Sequence, residues 1–241
     1  SNTELTVVTL NGTVPEAANS GGSLIHNTCS KLTKIIFGPD ANVTGTSAAI
    51  IYQLYGVANQ ITEIDIYGTI NKDAAFCGLN ALETVRIYKT SNVAGNNLFW
   101  KDYKLKNIWF EEETTFGAEG KSNYFRACTS LTEVTISAGT TIIGAAVFSE
   151  CSGLRNVTLS EGCKCSGSLL YNLTNVKNII VKGACQVHLG LGAANVHYYL
   201  TDWFEGLSLS GATAATVHTV YINDGDILTD IGEDMMSIQR E

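Results

Sequence analysis

The sequence predicts a repeat solenoid, a stack of similar units that each lay one short parallel strand into a common sheet, with loops and short helical turns on the opposite side. Three observations predict it. An apolar motif, L-x-x-V-x-I, recurs along the chain at intervals of 20 to 29 residues. An aromatic residue stands six positions before most copies, and a Gly or Asn turn follows most of them.

The two clearest copies are Leu131-Thr132-Glu133-Val134-Thr135-Ile136 and Leu154-Arg155-Asn156-Val157-Thr158-Leu159, preceded by Phe125 and Phe148. Indexing each unit from the first apolar residue of its motif gives starts at Leu5, Leu32, Ile61, Leu82, Leu105, Leu131, Leu154, Val176, Val196 and Val217. Alternation within V-x-I describes a strand with one buried face. Only the ninth unit, with Tyr199 and Thr201 in the inward positions, departs from it. Further inward columns are expected at Tyr55, Phe76, Phe99, Phe125, Phe148 and Leu170, and at Val43, Val93, Phe116, Ile142, Cys165, Val187, Leu207 and Leu228. A single unit buries too little to offset the entropy of ordering it, so each unit must cover its flanks with its neighbours.

Composition narrows the function classes. Over 241 residues the formal charge is −8, against a nucleic-acid or anionic-lipid partner, since both select a basic face. No apolar run reaches the length of a membrane-spanning helix. The motifs of a nucleophile elbow, a zincin or a phosphate-binding loop are missing, so no catalytic residue is expected. No cofactor and no metal site is expected either. His197 and His218 each follow a unit start by one residue, but a metal site needs a third and fourth ligand that the pattern does not supply.

Outward strand positions carry the candidate site. Four residues after successive starts stand Asp65, Arg86 and Trp109; six after stand Tyr67, Tyr88 and Glu111. With strands ~4.8 Å apart these side chains form one patch on the sheet face. Tyr, Trp and Arg are enriched in binding hot spots, although aromatics on a strand also serve cross-strand packing. A second, smaller patch at Tyr198, Tyr221 and Trp203 follows from the same logic. Among the seven cysteines, Cys163 and Cys185 both lie nine residues after adjacent starts. That placement suits either a disulfide or two stacked thiols.

The run Ile143-Gly144-Ala145-Ala146-Val147-Phe148, continued by Cys151, Leu154, Val157 and Leu159, resembles the repeat of the BspA-like leucine-rich repeat family of bacterial surface proteins. Phe125, Cys128 and Leu131–Ile136 fit it as well, while Ser137 and Ser160 stand where that repeat has proline. The resemblance implies a leucine-rich-repeat-like right-handed superhelix over 1–241, of about ten repeats with a partial terminal repeat at about 224–241. It further implies a non-enzymatic adhesion or interaction module, secreted or on the bacterial outer surface. Ser1 in place of a starting Met reads as a processed start, with an anchor such as a lipid expected upstream of it. A protein partner, host extracellular matrix included, is the first expectation. A glycan-binding surface protein, or a spacer presenting another domain, is the alternative.

Overall fold

The computed structural model describes residues 3–14, 25, 28–45, 52–192, 195–200, 206–211, 217–222 and 226–229. Among these, ten parallel strands correspond to the ten predicted starts, eight lying just after the start, one beginning at Val217 itself and one at Asn195, a residue before Val196. Val7–Leu10, Lys34–Phe37, Glu63–Ile66, Thr84–Ile87 and Asn107–Phe110 pair in that order, each with the next along the chain. Glu133–Ile136, Asn156–Leu159, Asn178–Val181, Asn195–Leu200 and Val217–Ile222 do the same. The motif explains why: Val85, Ile87, Val157 and Leu159 are fully buried, while the residues between them face outward.

The single expected sheet is accompanied by a second stack of parallel strands. It runs through Thr13–Val14, Asn42–Gly45, Thr69–Lys72 and Asn92–Val93, then through Thr115–Ser122, Thr141–Ala145, Lys164–Cys165, Gln186–His188 and Ser208–Ser210. Each begins with a polar residue outward and an apolar one inward, which is the signature of a half-buried strand in miniature. A β-turn joins the two strands of a unit. The amide of Thr140 bonds the carbonyl of Ser137 at 3.1 Å, and that of Cys163 the carbonyl of Ser160 at 3.3 Å. Gly139 and Gly162 occupy the positive-φ corner of these turns at 65° and 70°. Helix is nearly absent from the described residues, the short 3-10 segment Tyr52–Val57 being the example, so the expected helical turns are mostly bends and turns.

Inside, Phe76, Phe99, Phe125 and Phe148 stack face to face, with centroids 4.9, 5.0 and 5.4 Å apart. That spacing matches the rung repeat of a parallel sheet, so one aromatic column is continuous through four units. Tyr55's side chain and His26 lie outside what is described.

Both ladders are interrupted at one level. Asn107–Phe110 and Glu133–Ile136 lie side by side without forming a ladder, and so do Asn92–Val93 and Thr115–Ser122. At this seam the Ser137 hydroxyl donates to the Phe110 carbonyl at 2.7 Å. The seam adjoins a bulge: five steps from Gly117 to Ser122 oppose two from Ile143 to Ala145. The three surplus residues are the difference between the 26-residue interval from Leu105 to Leu131 and the 23-residue interval that follows. Buried Tyr124 fastens the bulge, its hydroxyl accepting from the Ala118 amide at 3.0 Å and donating to the Ile143 carbonyl. A Cβ on Gly117 or Gly144 would strike that hydroxyl, at 2.5 and 2.4 Å.

Two register expectations need correction. Ile179 pairs with Tyr198 and Val181 with Leu200, so the ninth unit is shifted by one residue from the predicted start. Tyr198 is buried and Tyr199 exposed, the reverse of the expectation, because a one-residue slip exchanges the two faces of a strand. The second-ladder partner of Val187 is Leu209 rather than Leu207. At the far end, Asp226–Thr229 runs antiparallel to Val217–Ile222, with Leu228 opposite Val220. Leu228, expected in the second inward column, therefore lies in the first ladder instead.

Candidate functional site

The outward face of the first ladder carries the predicted residues on three consecutive strands. Asp65 pairs in register with Arg86, and Arg86 with Trp109. The Tyr67 and Tyr88 rings stack with centroids 3.8 Å apart and planes at 14°. Trp109 meets Tyr88 edge-on at 5.2 Å and 68°. These three rings form a short ladder up the face, ending at the seam. Trp109, 44% exposed, is its most accessible ring.

Beside the rings, in the columns two and four residues after the starts, lies a charge network. Arg86 Nη1 donates to Glu63 Oε2 at 2.7 Å and to Asp65 Oδ1 at 3.1 Å. Lys34 Nζ reaches Asp65 Oδ2 at 2.6 Å and Glu63 at 3.7 Å. Asp65 was expected as an exposed contact, but it is 4% exposed and acts as the anchor that aligns Lys34 and Arg86. Its burial is tolerated because both carboxylate oxygens are paired with cations. Glu111 accepts the Lys89 amide at 2.8 Å, and Lys89 Nζ bridges to Glu113 at 3.2 Å. The Tyr88 phenol is pushed up to about 12 by its hydrogen bond with Tyr67, then by burial and the Asp65 charge. Sequence reasoning missed Glu63 and Lys34. Both sit two residues after a start, in the outward column that includes Thr84, and opposite charges in that column were the available signal.

The other candidates separate. Cys163 and Cys185 are buried thiols, hydrogen-bonded to one another. That contact and burial raise the Cys163 thiol, while the same contact lowers Cys185. Cys128 and Cys151 donate to the carbonyls of Phe99 and Phe125 at 3.2 and 3.0 Å, and so serve as small buried donors. Register places His197 opposite Thr219 and His218 opposite Val196, so the two histidines do not share a rung position. Among the described residues no group of three or more His, Cys, Asp or Glu is placed to hold a metal ion. None of their helices is long and apolar enough to cross a membrane. Tyr198 leaves the smaller C-terminal patch for the core; Trp203 and the Tyr221 side chain lie outside what is described.

Comparison with known proteins fits this geometry. The model of the BspA-type leucine-rich repeat region matches in six copies over residues 51–171 and 120–188, more than half of the chain. The chain belongs to the BspA-type leucine-rich repeat family. Within it, the matched span holds the Phe column, the aromatic ladder and the seam. A solved leucine-rich repeat protein from Bacteroides ovatus is similar at 14% identity, over 89% of this chain and 82% of that one, with a TM-score of 0.35. No curated protein matches.

Proposed function

We propose that this BspA-type repeat protein is a non-enzymatic interaction module, displayed outside a bacterial cell, that binds a protein partner through the exposed strand face. The observation that carries the reading is the ring ladder: Trp109 stands 44% exposed against a Tyr88 already held by Tyr67. Side chains fixed in this way lose little entropy on binding, and a rigid Trp beside an Arg is the composition of a hot spot. Glu63, ion-paired with Arg86, and Glu111 supply a polar rim. The orientation of the rings favours protein over glycan at this face. Stacking covers one face of the Tyr67 ring and one of the Tyr88 ring, and Trp109 abuts Tyr88 as well, so less flat ring surface is left to a sugar than three free rings would offer.

The test is binding to a panel of immobilised extracellular matrix proteins. Trp109→Ala and Arg86→Ala are each expected to weaken the interaction about tenfold or more. Unchanged affinity in both variants for a partner that the native protein binds would sink the assignment of the face. If the panel yields no partner, and a further domain adjoins this chain in the natural protein, the spacer reading takes its place.

A further inference from the structure

On the turn side of the stack, one column of the repeat changes size abruptly. Five residues before the starts at Leu105, Leu131, Leu154 and Val176 stand Trp100, Arg126, Ser149 and Tyr171. A small residue interrupts three large ones. Three positions earlier the residues are Asn97, Asn123, Ala146 and Ser168, and the smallest falls on the same rung as Ser149. The stack is therefore one layer short at this place. The result is a depression of about 520 Å³ with Ser149 and Ala146 as its floor. Arg126 and Asn123 come from the rung on one side, Tyr171 and Asn172 from the rung on the other. Two rung spacings, roughly 9–10 Å, separate the large residues.

The polar groups here are already fixed in place. Ser149 Oγ donates to Asn123 Oδ1 at 2.8 Å, and Asn123 Nδ2 donates to Ser122 Oγ at 3.0 Å. Arg126 Nη2 pairs with Glu150 Oε1 at 2.6 Å, and the guanidinium carbon lies 5.6 Å from the Trp100 ring centroid. Tyr171 is 50% exposed, the most exposed large aromatic among the described residues. An anion would meet Glu150, and a cation would meet Arg126. A purely apolar ligand would desolvate the amides and the ion pair without replacing their hydrogen bonds. A neutral polyhydroxylated ring meets none of these penalties. Its hydroxyls can exchange hydrogen bonds with Arg126, Glu150 and Asn123, while its C–H face covers the Tyr171 ring.

We infer that this depression is a saccharide subsite, taking one ring of a neutral oligosaccharide between Arg126–Glu150 and Tyr171. It is distinct from the strand face: its lining comes mainly from the turn segments that precede the first-ladder strands. The experiment titrates the native protein, Tyr171→Ala, Glu150→Gln and Trp109→Ala with neutral oligosaccharides of glucose, mannose, galactose and N-acetylglucosamine. Binding is read by calorimetry and by saturation transfer to the sugar protons, with far-UV circular dichroism confirming that the variants fold. Native protein and Trp109→Ala are expected to bind the same sugar equally. Tyr171→Ala and Glu150→Gln are expected to weaken it about tenfold. The inference is overturned if none of these sugars binds, or if binding survives both Tyr171→Ala and Glu150→Gln. Loss of binding in Trp109→Ala alone would instead place the sugar on the strand face and overturn it equally.

Discussion

Asp102 occupies the column that carries cysteine in the following two units, Cys128 and Cys151, three residues before each start. It is fully buried, its Oδ1 accepts the Leu79 amide at 2.7 Å, and its Oδ2 has no partner. Burial holds this carboxyl well above the ordinary value of 3.8, against the lowering effect of the Leu79 and Gly78 amides. The folded chain therefore keeps a proton that the unfolded chain releases. Its stabilising contribution is complete below about pH 4 and is lost as pH rises through the folded value. Asp102→Asn retains the acceptor for Leu79 and needs no proton. Urea denaturation at several pH values is expected to show the variant gaining on the native protein as pH rises, with the gap closing at low pH. A gap independent of pH would contradict it. A second titration tests the ring ladder. Difference absorbance against Tyr88→Phe is expected to place the Tyr88 phenol at about 12, and Tyr67→Phe to return it toward the usual 10, because the Tyr67 contact is the largest cause of the shift.

At the scale of elements, the strands were legible in the sequence because burial alternates with period two. The Phe column was legible because one residue type recurs at one offset. The ninth unit was not, since Tyr198 and Tyr199 are adjacent aromatics and either fits the inward position; hydrogen-bond register, a pairwise property, decides between them. The burial of Asp65 escaped prediction for a similar reason. An outward position becomes enclosed when Lys34 and Arg86 on the flanking strands close over it. The second ladder was visible as an inward column, but a strand of two residues is shorter than any periodic pattern can reveal. Its approach includes a buried column nine residues after the starts, where Ser91, Thr114 and Thr140 are followed by Cys163 and Cys185. Treatment with oxidised glutathione is expected to join Cys163 to Cys185, seen as a linked peptide pair after digestion. Cys163→Ser should abolish that pair, and a native protein that yields no such linkage after prolonged oxidation would leave the two as stacked thiols.

For the whole molecule, the seam matters because a repeat stack is stabilised by contacts between neighbours. Where the backbone ladders stop, coupling falls to side chains and to turn hydrogen bonds such as Phe99 N to Tyr124 O at 2.7 Å. Phe125 is the hub of that coupling. It stacks on Phe99 at 5.0 Å, on Phe148 at 5.4 Å and on Phe116 at 5.6 Å, and meets Phe110 edge-on at 6.4 Å. Phe125→Leu keeps an apolar residue but loses the ring that spans both sides. Hydrogen exchange is expected to show the strands up to Phe110 and those from Glu133 onward opening together in the native protein and at different denaturant concentrations in the variant. Truncation to Ala at so buried a ring would cost about 3–5 kcal/mol, and the Leu variant less.

The bulge held by Tyr124 has a practical corollary. Surplus chain is expelled sideways here while Thr115, Phe116 and Gly117 keep their register with Thr141, Ile142 and Ile143, and at Gly120, its outermost glycine, a side chain would meet open space. A foreign peptide spliced in at Gly120 would ride on the stack as a graft, leaving the hydrophobic interior to fold as before.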